Sequence, residues 1–265
     1  KNTFVPIPFT GKIIFKEVML MSKIEEFQEE VKNNIHRLGE DRDLQAMSRI
    51  WVREISPYKY AYNFRWMGRP IIQFPQDMIA MQEIIWDVNP DLIIETGIAH
   101  GGSLIYYASL LELLGNNGHV LGIDIDIRAH NRVEIEKHPM FKRITMFEGS
   151  SIAPDMAERV RDFAGKYKTI MVALDSNHTH AHVLEELRLY SPLVTPGSYC
   201  IVFDTIVEDM PAGSFPDRPW DKGNNPKTAV WEFLKDASDF EIDKAIQDKL
   251  LITVAPDGYL KRRIT

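Results

Sequence analysis

Apolar residues recur at Ile24, Phe27, Val31 and Ile35, a spacing that predicts a helix over 23–38. A second helix is predicted over Leu44–Ile55 and stopped by Ser56-Pro57. A third, Gln76–Val88, is stopped by Asn89-Pro90. The pattern then changes. Short apolar runs, each closed by a polar or acidic residue, alternate with helical periods. Leu92–Ile94 ends in Glu95, and His119–Ile123 ends in Asp124. Arg143–Glu148 runs into Gly149-Ser150-Ser151, Thr169–Leu174 ends in Asp175, and Tyr199–Phe203 ends in Asp204. Between them lie helical patterns at Leu104–Leu114, Arg128–Lys137, a stretch ending near Ala164, and Val183–Tyr190. Five strands alternating with helices predict an α/β fold with a doubly wound, mainly parallel sheet.

The flanks are less regular. Tyr58–Pro75 is aromatic and irregular, and reads as a packing collar over the sheet edge or as a lid or oligomer contact. Pro211–Pro226 reads as a long functional loop. Thr228–Leu234 is predicted helical, Phe240–Ile242 and Leu251–Val254 are late strand candidates, and Pro256-Asp-Gly258 is a turn. This divides the chain into a partly helical N-terminal extension, 1–60, and an α/β domain, 61–265. Residues 1–20 are read as native or as an addition ahead of a start at Met21.

Composition narrows the function classes. A formal charge of −7 over 265 residues argues against broad nucleic-acid binding. No run of about twenty apolar residues is present, so no membrane span is expected. Cys200 is the only cysteine, which excludes an intrachain disulfide framework and a multi-thiolate zinc site, and fits a reducing, cytoplasmic compartment.

The chemistry gathers at the ends of the predicted strands, where ligands bind in such sheets. Glu95, Asp124, Ser150, Asp175 and Asp204 all fall there, and four of the five are acids. The stretch Glu95-Thr-Gly97-Ile-Ala-His100-Gly101-Gly-Ser103 is a glycine turn between the first strand and its helix. It lacks the dinucleotide spacing G-x-G-x-x-G, but supplies E-x-G-x-x-x-G-x-S, a pattern found in methyltransferases that bind S-adenosylmethionine. An acid beside a glycine turn suits a cofactor's hydroxyls or amino group. Asp124 is the candidate for the ribose, Ser150 for the adenine, and His100 for the pocket lining or a cap. Asp175 and Asp204 close adjacent strands and together suit a hard divalent ion such as magnesium, with Asn177 as a further oxygen donor. Among His178, His180 and His182 the hydrolase zinc pattern is incomplete, because no acid stands between the histidines and the third. His178, nearest the strand end, is the candidate base. His180 and His182 are read as helix-start or supporting residues.

With these residues quoted, the chain resembles the cephalosporin hydroxylase family, which is related to sugar O-methyltransferases acting on rhamnosyl and macrolide substrates. The resemblance runs from about Tyr62 to Asp209. It rests on Phe64-Arg-Trp-Met-Gly-Arg-Pro-Ile-Ile-Gln-Phe-Pro-Gln-Asp77, Pro90–Gly97, Gly122–Asp126, Leu174–His178 and Pro192–Ser198. It implies a class I (Rossmann-like) methyltransferase fold, S-adenosylmethionine, a magnesium ion and a homo-oligomer. It puts Glu95, Gly97, His100, Gly101, Ser103, Asp124, Ser150 and Asp175 around the cofactor, Asp175 and Asp204 on the metal, and His178 in the role of base. The implied activity is methyl transfer to a hydroxyl of a sugar or polyol-like small molecule. One departure stands out: the family tends to carry Glu-Asp where this chain has Phe203-Asp204. A metal ligand is then missing, to be replaced by Asn177 or Glu208, or the ion is lost. Two alternatives follow. One is a non-haem iron hydroxylase using His178 or His180 with Asp175. The other is a non-catalytic subunit that binds S-adenosylmethionine.

Overall fold

The computed structural model describes residues 11–264, with side chains from residue 22 onward. The reading of residues 1–20 as native or added falls on residues 1–10, outside the described residues, and on the backbone of the helix that follows. That helix, α1 (Gly11–Glu40), starts well before the predicted Lys23. No proline or glycine interrupts Lys12–Leu38, so nothing in the sequence ends it sooner. α2 (Arg42–Ile55) follows, its first turn capped by the Asp41 carboxylate, which accepts from the amides of Asp43 and Leu44.

The aromatic stretch is more ordered than predicted. It folds into an antiparallel hairpin of β1 (Phe64–Trp66) and β2 (Arg69–Ile71). Trp51, Tyr60, Phe64 and Phe74 meet edge to face with centroids between 5.1 and 6.3 Å apart. This is the packing collar. α3 (Pro75–Val88) leads from it into the main sheet.

In chain order the remaining elements are β3 (Leu92–Thr96), α4 (Gly102–Leu114), β4 (His119–Asp124), α5 (Ala129–Glu136), β5 (Ile144–Glu148), α6 (Pro154–Ala164) and β6 (Ile170–Leu174). Then come α7 (His180–Tyr190), β7 (Tyr199–Val202), α8 (Pro226–Phe233), β8 (Phe240–Ile242), α9 (Lys244–Leu250) and β9 (Tyr259–Arg262). The sheet order is β5-β4-β3-β6-β7-β9-β8. The first five pair in parallel, and β9 runs antiparallel between β7 and β8. α1 lies along α9, where Gly39 makes room: a Cβ there would come within 2.5 Å of Asp248 Oδ2.

Alternate strand residues feed two cores, one on each face. Leu92, Ile94, Leu121, Ile123, Val172 and Leu174 pack on one side, and Ile93, Val120, Met171 and Ala173 on the other. Burial on both faces explains why these strands read as continuous apolar runs. Strand order reverses between β3 and β6, the switch point where a crevice opens. Thr96 pairs with both Ile123 and Leu174, so Gly97, Asp124 and Asp175 leave the sheet at one level.

One predicted strand is corrected. Leu251–Val254 is not in the sheet, and Tyr259–Arg262 is. The cause is Asp77, fully buried on α3. Its carboxylate accepts from Thr253 Oγ1, from the Val254 amide at 2.9 Å and from the Tyr259 hydroxyl at 2.7 Å. Val254 therefore gives its amide to a side chain, and the chain enters the sheet, between β7 and β8, only five residues later. Burial outweighs these bonds and pushes the Asp77 carboxyl up to about 6. Among the described residues, no helix is long and apolar enough to cross a membrane.

Candidate active site

The turn after β3 is built by close approach. Gly97 has φ +91°, and a Cβ there would lie 2.0 Å from the Asp175 carbonyl oxygen, so only glycine lets β3 and β6 end side by side. Gly101, at φ +77°, abuts Ile135, and Gly102 abuts the Pro70 carbonyl of the hairpin. Glu95, the last acid of β3, is 1% exposed. Its Oε2 accepts from Ser103 Oγ at 2.6 Å, and its Oε1 has no partner. The Tyr107 hydroxyl and the Gln73 amide are buried beside it, near one another but outside good hydrogen-bond geometry. Burial, only partly offset by the Ser103 and Tyr107 hydroxyls, pushes the Glu95 carboxyl up to about 8. An orphaned buried carboxylate oxygen beside a turn that tolerates no side chain fits a cationic or hydroxylated group entering from the crevice.

Asp124 sits at the predicted place and also shapes the turn. Its Oδ2 accepts from the amides of Ile98 and Ala99 at 2.7 and 3.2 Å, and its Oδ1 from the Asp126 amide at 3.0 Å. The hairpin reaches the same turn, a link missed by sequence reasoning. Arg69 donates to the His100 carbonyl through Nε at 3.0 Å and to Asn131 Oδ1, while Asn131 Nδ2 donates to the Ala99 carbonyl. His100 is thus held by its backbone, with its ring Nδ1 3.5 Å from Asn131 Oδ1.

Ser150 lies in the β5–α6 loop, where its carbonyl accepts the Ala153 amide. Neither Ser151 nor Asp155 caps α6. Ser151 instead points into the protein: its Oγ donates to Glu186 Oε1 at 2.6 Å and lies 3.1 Å from His182 Nε2. Ser176 Oγ makes the same two contacts, at 2.7 and 3.1 Å. Glu186 is fully buried among the apolar residues of α7, and its Oε2 has no partner. A carboxylate four residues after His182 on an otherwise apolar face was the sequence signal.

Asp175, His178 and Asp204 come together, offering ligand atoms that all lie within 4.8 Å of one another. His178 Nε2 is 3.0 Å from Asp204 Oδ2, and the Trp220 ring stands edge-on to the imidazole at 4.7 Å. Asp204 is held in a left-handed conformation, φ 54°, that turns it back over the strand end. The Asp175 carboxyl is driven well above its ordinary range, first by burial and then by Asp204, Glu95 and Glu186. Burial would also raise Asp204, but the charge and hydrogen bond of His178 together outweigh it and hold Asp204 low. Every charge acting on Asp175 is a carboxylate, so a cation in this crevice would relieve repulsion. Two carboxylates and an imidazole are an acceptable donor set for a divalent metal.

The substitute ligands expected from sequence are occupied elsewhere. Asn177 Oδ1 accepts from the amide and hydroxyl of Thr179. Glu208 Oε2 accepts from the Gly223 amide and from Asn225, holding the 211–226 loop. Phe203 is buried in the core, and the imidazole of His178 is the third side chain that comes within reach of the two carboxylates. The two-histidine face does not form. His180 turns to Thr228 and Glu232, and His182 to the two serines and Glu186.

A family profile described as "Rhamnosyl O-methyltransferase/CmcI" matches residues 58–263. The chain is 32% identical over 200 residues to the rhamnosyl O-methyltransferase of Mycobacterium leprae, covering 75% of this chain and 82% of that protein. To the enzyme of the same name from Mycobacterium tuberculosis H37Rv it is 31% identical over 200 residues, covering 74% and 77%. Among solved structures, an apo form of CmcI-N160 superposes with a TM-score of 0.56 at 19% identity, covering 77% of this chain and 78% of that one. A Mg-SAM form of cmcI-D160 gives 0.55 at 20% identity, with the same coverage. These two superpositions establish the class I methyltransferase fold. The chain belongs to the rhamnosyl O-methyltransferase/CmcI family.

Proposed function

We propose that this protein is a magnesium-assisted O-methyltransferase that transfers the methyl group of S-adenosylmethionine to a hydroxyl of a sugar, of the rhamnosyl class on which its mycobacterial relatives are named. As a member of its family the chain is an S-adenosylmethionine-dependent O-methyltransferase. The observation that carries the reading is the meeting, at one switch point, of a glycine turn bearing the orphaned Glu95 oxygen with the Asp175–His178–Asp204 cluster.

In this reading Gly97, Gly101 and Ser103 form the cofactor turn, Glu95 takes the amino group, Asp124 the ribose, and Ser150 the adenine. His100 lines the pocket, and Asp175 borders both cofactor and metal. Asp175 and Asp204 would hold magnesium, leaving the His178 imidazole free to act as the base. When bound, S-adenosylmethionine would supply an activated methyl group and magnesium would supply Lewis acidity toward the acceptor hydroxyl. Asp204 orients the His178 imidazole, which receives the acceptor's proton. Trp220 narrows the water around that imidazole. The crevice aligns the two reactants, which is where most of the acceleration arises when the donor is already reactive.

The small-molecule acceptor enters between the 211–226 loop and the cluster. A homo-oligomer is part of the proposal, supported by exposed Ile24, Phe27 and Val31 at one-face spacing on α1. So is a cytoplasmic location, supported by a buried, unpaired Cys200. Calorimetry with S-adenosylhomocysteine, with and without magnesium chloride, tests the reading. Wild type is expected to bind more tightly with the ion, and Asp175→Asn to lose that gain. Absence of binding in every condition would overturn it.

A further inference from the structure

Two loops border the crevice, one at the carboxyl end of β5 and one at that of β6. One, Gly149–Ala153, follows β5 and carries the proposed adenine residue Ser150. The other, Asp175–Thr179, carries two of the three clustered metal-donor residues. They are not neighbours in sequence, and one buried atom joins them. Glu186 Oε1 accepts from Ser151 Oγ of the first loop at 2.6 Å and from Ser176 Oγ of the second at 2.7 Å. His182 Nε2 stands 3.1 Å from each hydroxyl. Tyr190, one turn further along α7, donates its hydroxyl to the Ser151 carbonyl at 2.5 Å. A side chain with 0% exposure cannot touch either reactant, so Glu186 acts through these loops. A buried carboxylate within an apolar helix face is costly, and its hydroxyl partners are what compensate it.

We infer that Glu186 is a positioning residue that locks the cofactor loop to the metal loop, so that binding of the ion and binding of the cofactor reinforce each other. The inference rests on the function proposed above. Ser176 stands between Asp175 and His178, so a metal that fixes that loop also fixes the Ser176 hydroxyl. Through the shared Glu186 oxygen this fixes Ser151, next to Ser150. Whatever ordering the ion imposes on one loop is then no longer required of the cofactor on the other, and linkage makes the gain reciprocal.

The test is calorimetric titration of S-adenosylhomocysteine at zero and saturating magnesium chloride, on wild type, Ser151→Ala, Ser176→Ala and the double variant. Each single variant leaves Glu186 one hydroxyl partner and His182, the double variant leaves His182, and thermal melting checks that all three fold. In wild type, magnesium should tighten binding about fivefold or more. Either single variant should bring that factor close to one. The double variant should be no worse than either single, because removing one end of a bridge removes the whole bridge. Glu186→Gln, which keeps an acceptor oxygen between the serines, should retain most of the factor. A wild-type factor of one, an unchanged factor in the single variants, or additive losses in the double variant would overturn the bridge and leave the methyltransferase reading standing. Failure of wild type to bind the cofactor product at all would overturn that reading instead.

Discussion

Glu95 gives the most quantitative consequence of the site. Its carboxyl, ordinarily at 4.5, is pushed up to about 8 by burial, so about nine-tenths of the molecules carry a proton there at pH 7. If the orphaned Oε1 receives the cofactor's ammonium group, that proton must leave, because a neutral acid is a poor partner for a cation. Binding of S-adenosylhomocysteine at pH 7 should therefore release about 0.9 proton per site. Calorimetry in Tris and in phosphate reads this directly, since the two buffers differ in ionisation enthalpy. Glu95→Gln should bind more weakly and lose the buffer dependence. The same residue sets a stability trend. A carboxyl raised on folding contributes fully below its unfolded value, and that contribution is lost as pH rises through the folded value. Between pH 4.5 and about 8 the loss is at most about 5 kcal/mol, from 3.5 pH units at 1.36 kcal/mol each. In the absence of cofactor, Glu95→Gln should melt near wild type at pH 5 and clearly above it at pH 9. Equal heats in the two buffers for wild type, or a Gln variant that still releases the proton, would refute this reasoning.

Three other predictions follow from particular contacts. Asp77→Asn should flatten a loss of stability that wild type shows as pH rises from about 4 through about 6, a contribution near 3 kcal/mol, measurable by urea melts across that range. Gly97→Ala should destabilise the fold by at least about 2 kcal/mol, because the residue combines a left-handed backbone with a collision against the Asp175 carbonyl; thermal melting checks it. Asp204→Asn should remove the partner of His178 and, on the proposed function, a magnesium donor, lowering turnover by about 10²-fold or more while S-adenosylhomocysteine still binds without the ion.

The five parallel strands were legible because their residues are buried on both faces and read as unbroken apolar runs. Their terminal acids were legible for the same reason: a charge at the end of such a run can only face the crevice. Leu251–Val254 misled because an apolar stretch carries no mark of the Asp77 carboxylate that captures its amide from far away in sequence. α1 was cut short because its first turns are mixed in polarity, although nothing in them breaks a helix. The glycine turn after β3 and the meeting of Asp175 with Asp204 were legible from their positions at the strand ends. His178 was placed beside them, but its direct contact with Asp204 depends on the left-handed turn at that residue, which no spacing announces. The supports behind the site were the least legible. Arg69, Asn131 and Glu186 each act across long loops, and their partners are hydroxyls and carbonyls of chemically ordinary residues.

Methyl transfer to a sugar hydroxyl at the Asp175–His178–Asp204 cluster leaves a product of defined mass. The most direct measurement is mass spectrometry of a rhamnoside acceptor, such as p-nitrophenyl α-L-rhamnopyranoside, incubated with the protein, S-adenosylmethionine and magnesium chloride. The account predicts the gain of one methyl group on oxygen, suppressed by chelator and by Asp175→Asn. A methylated product formed at an undiminished rate in Asp175→Asn, or no methylation of any glycoside by protein that binds the cofactor, would contradict it.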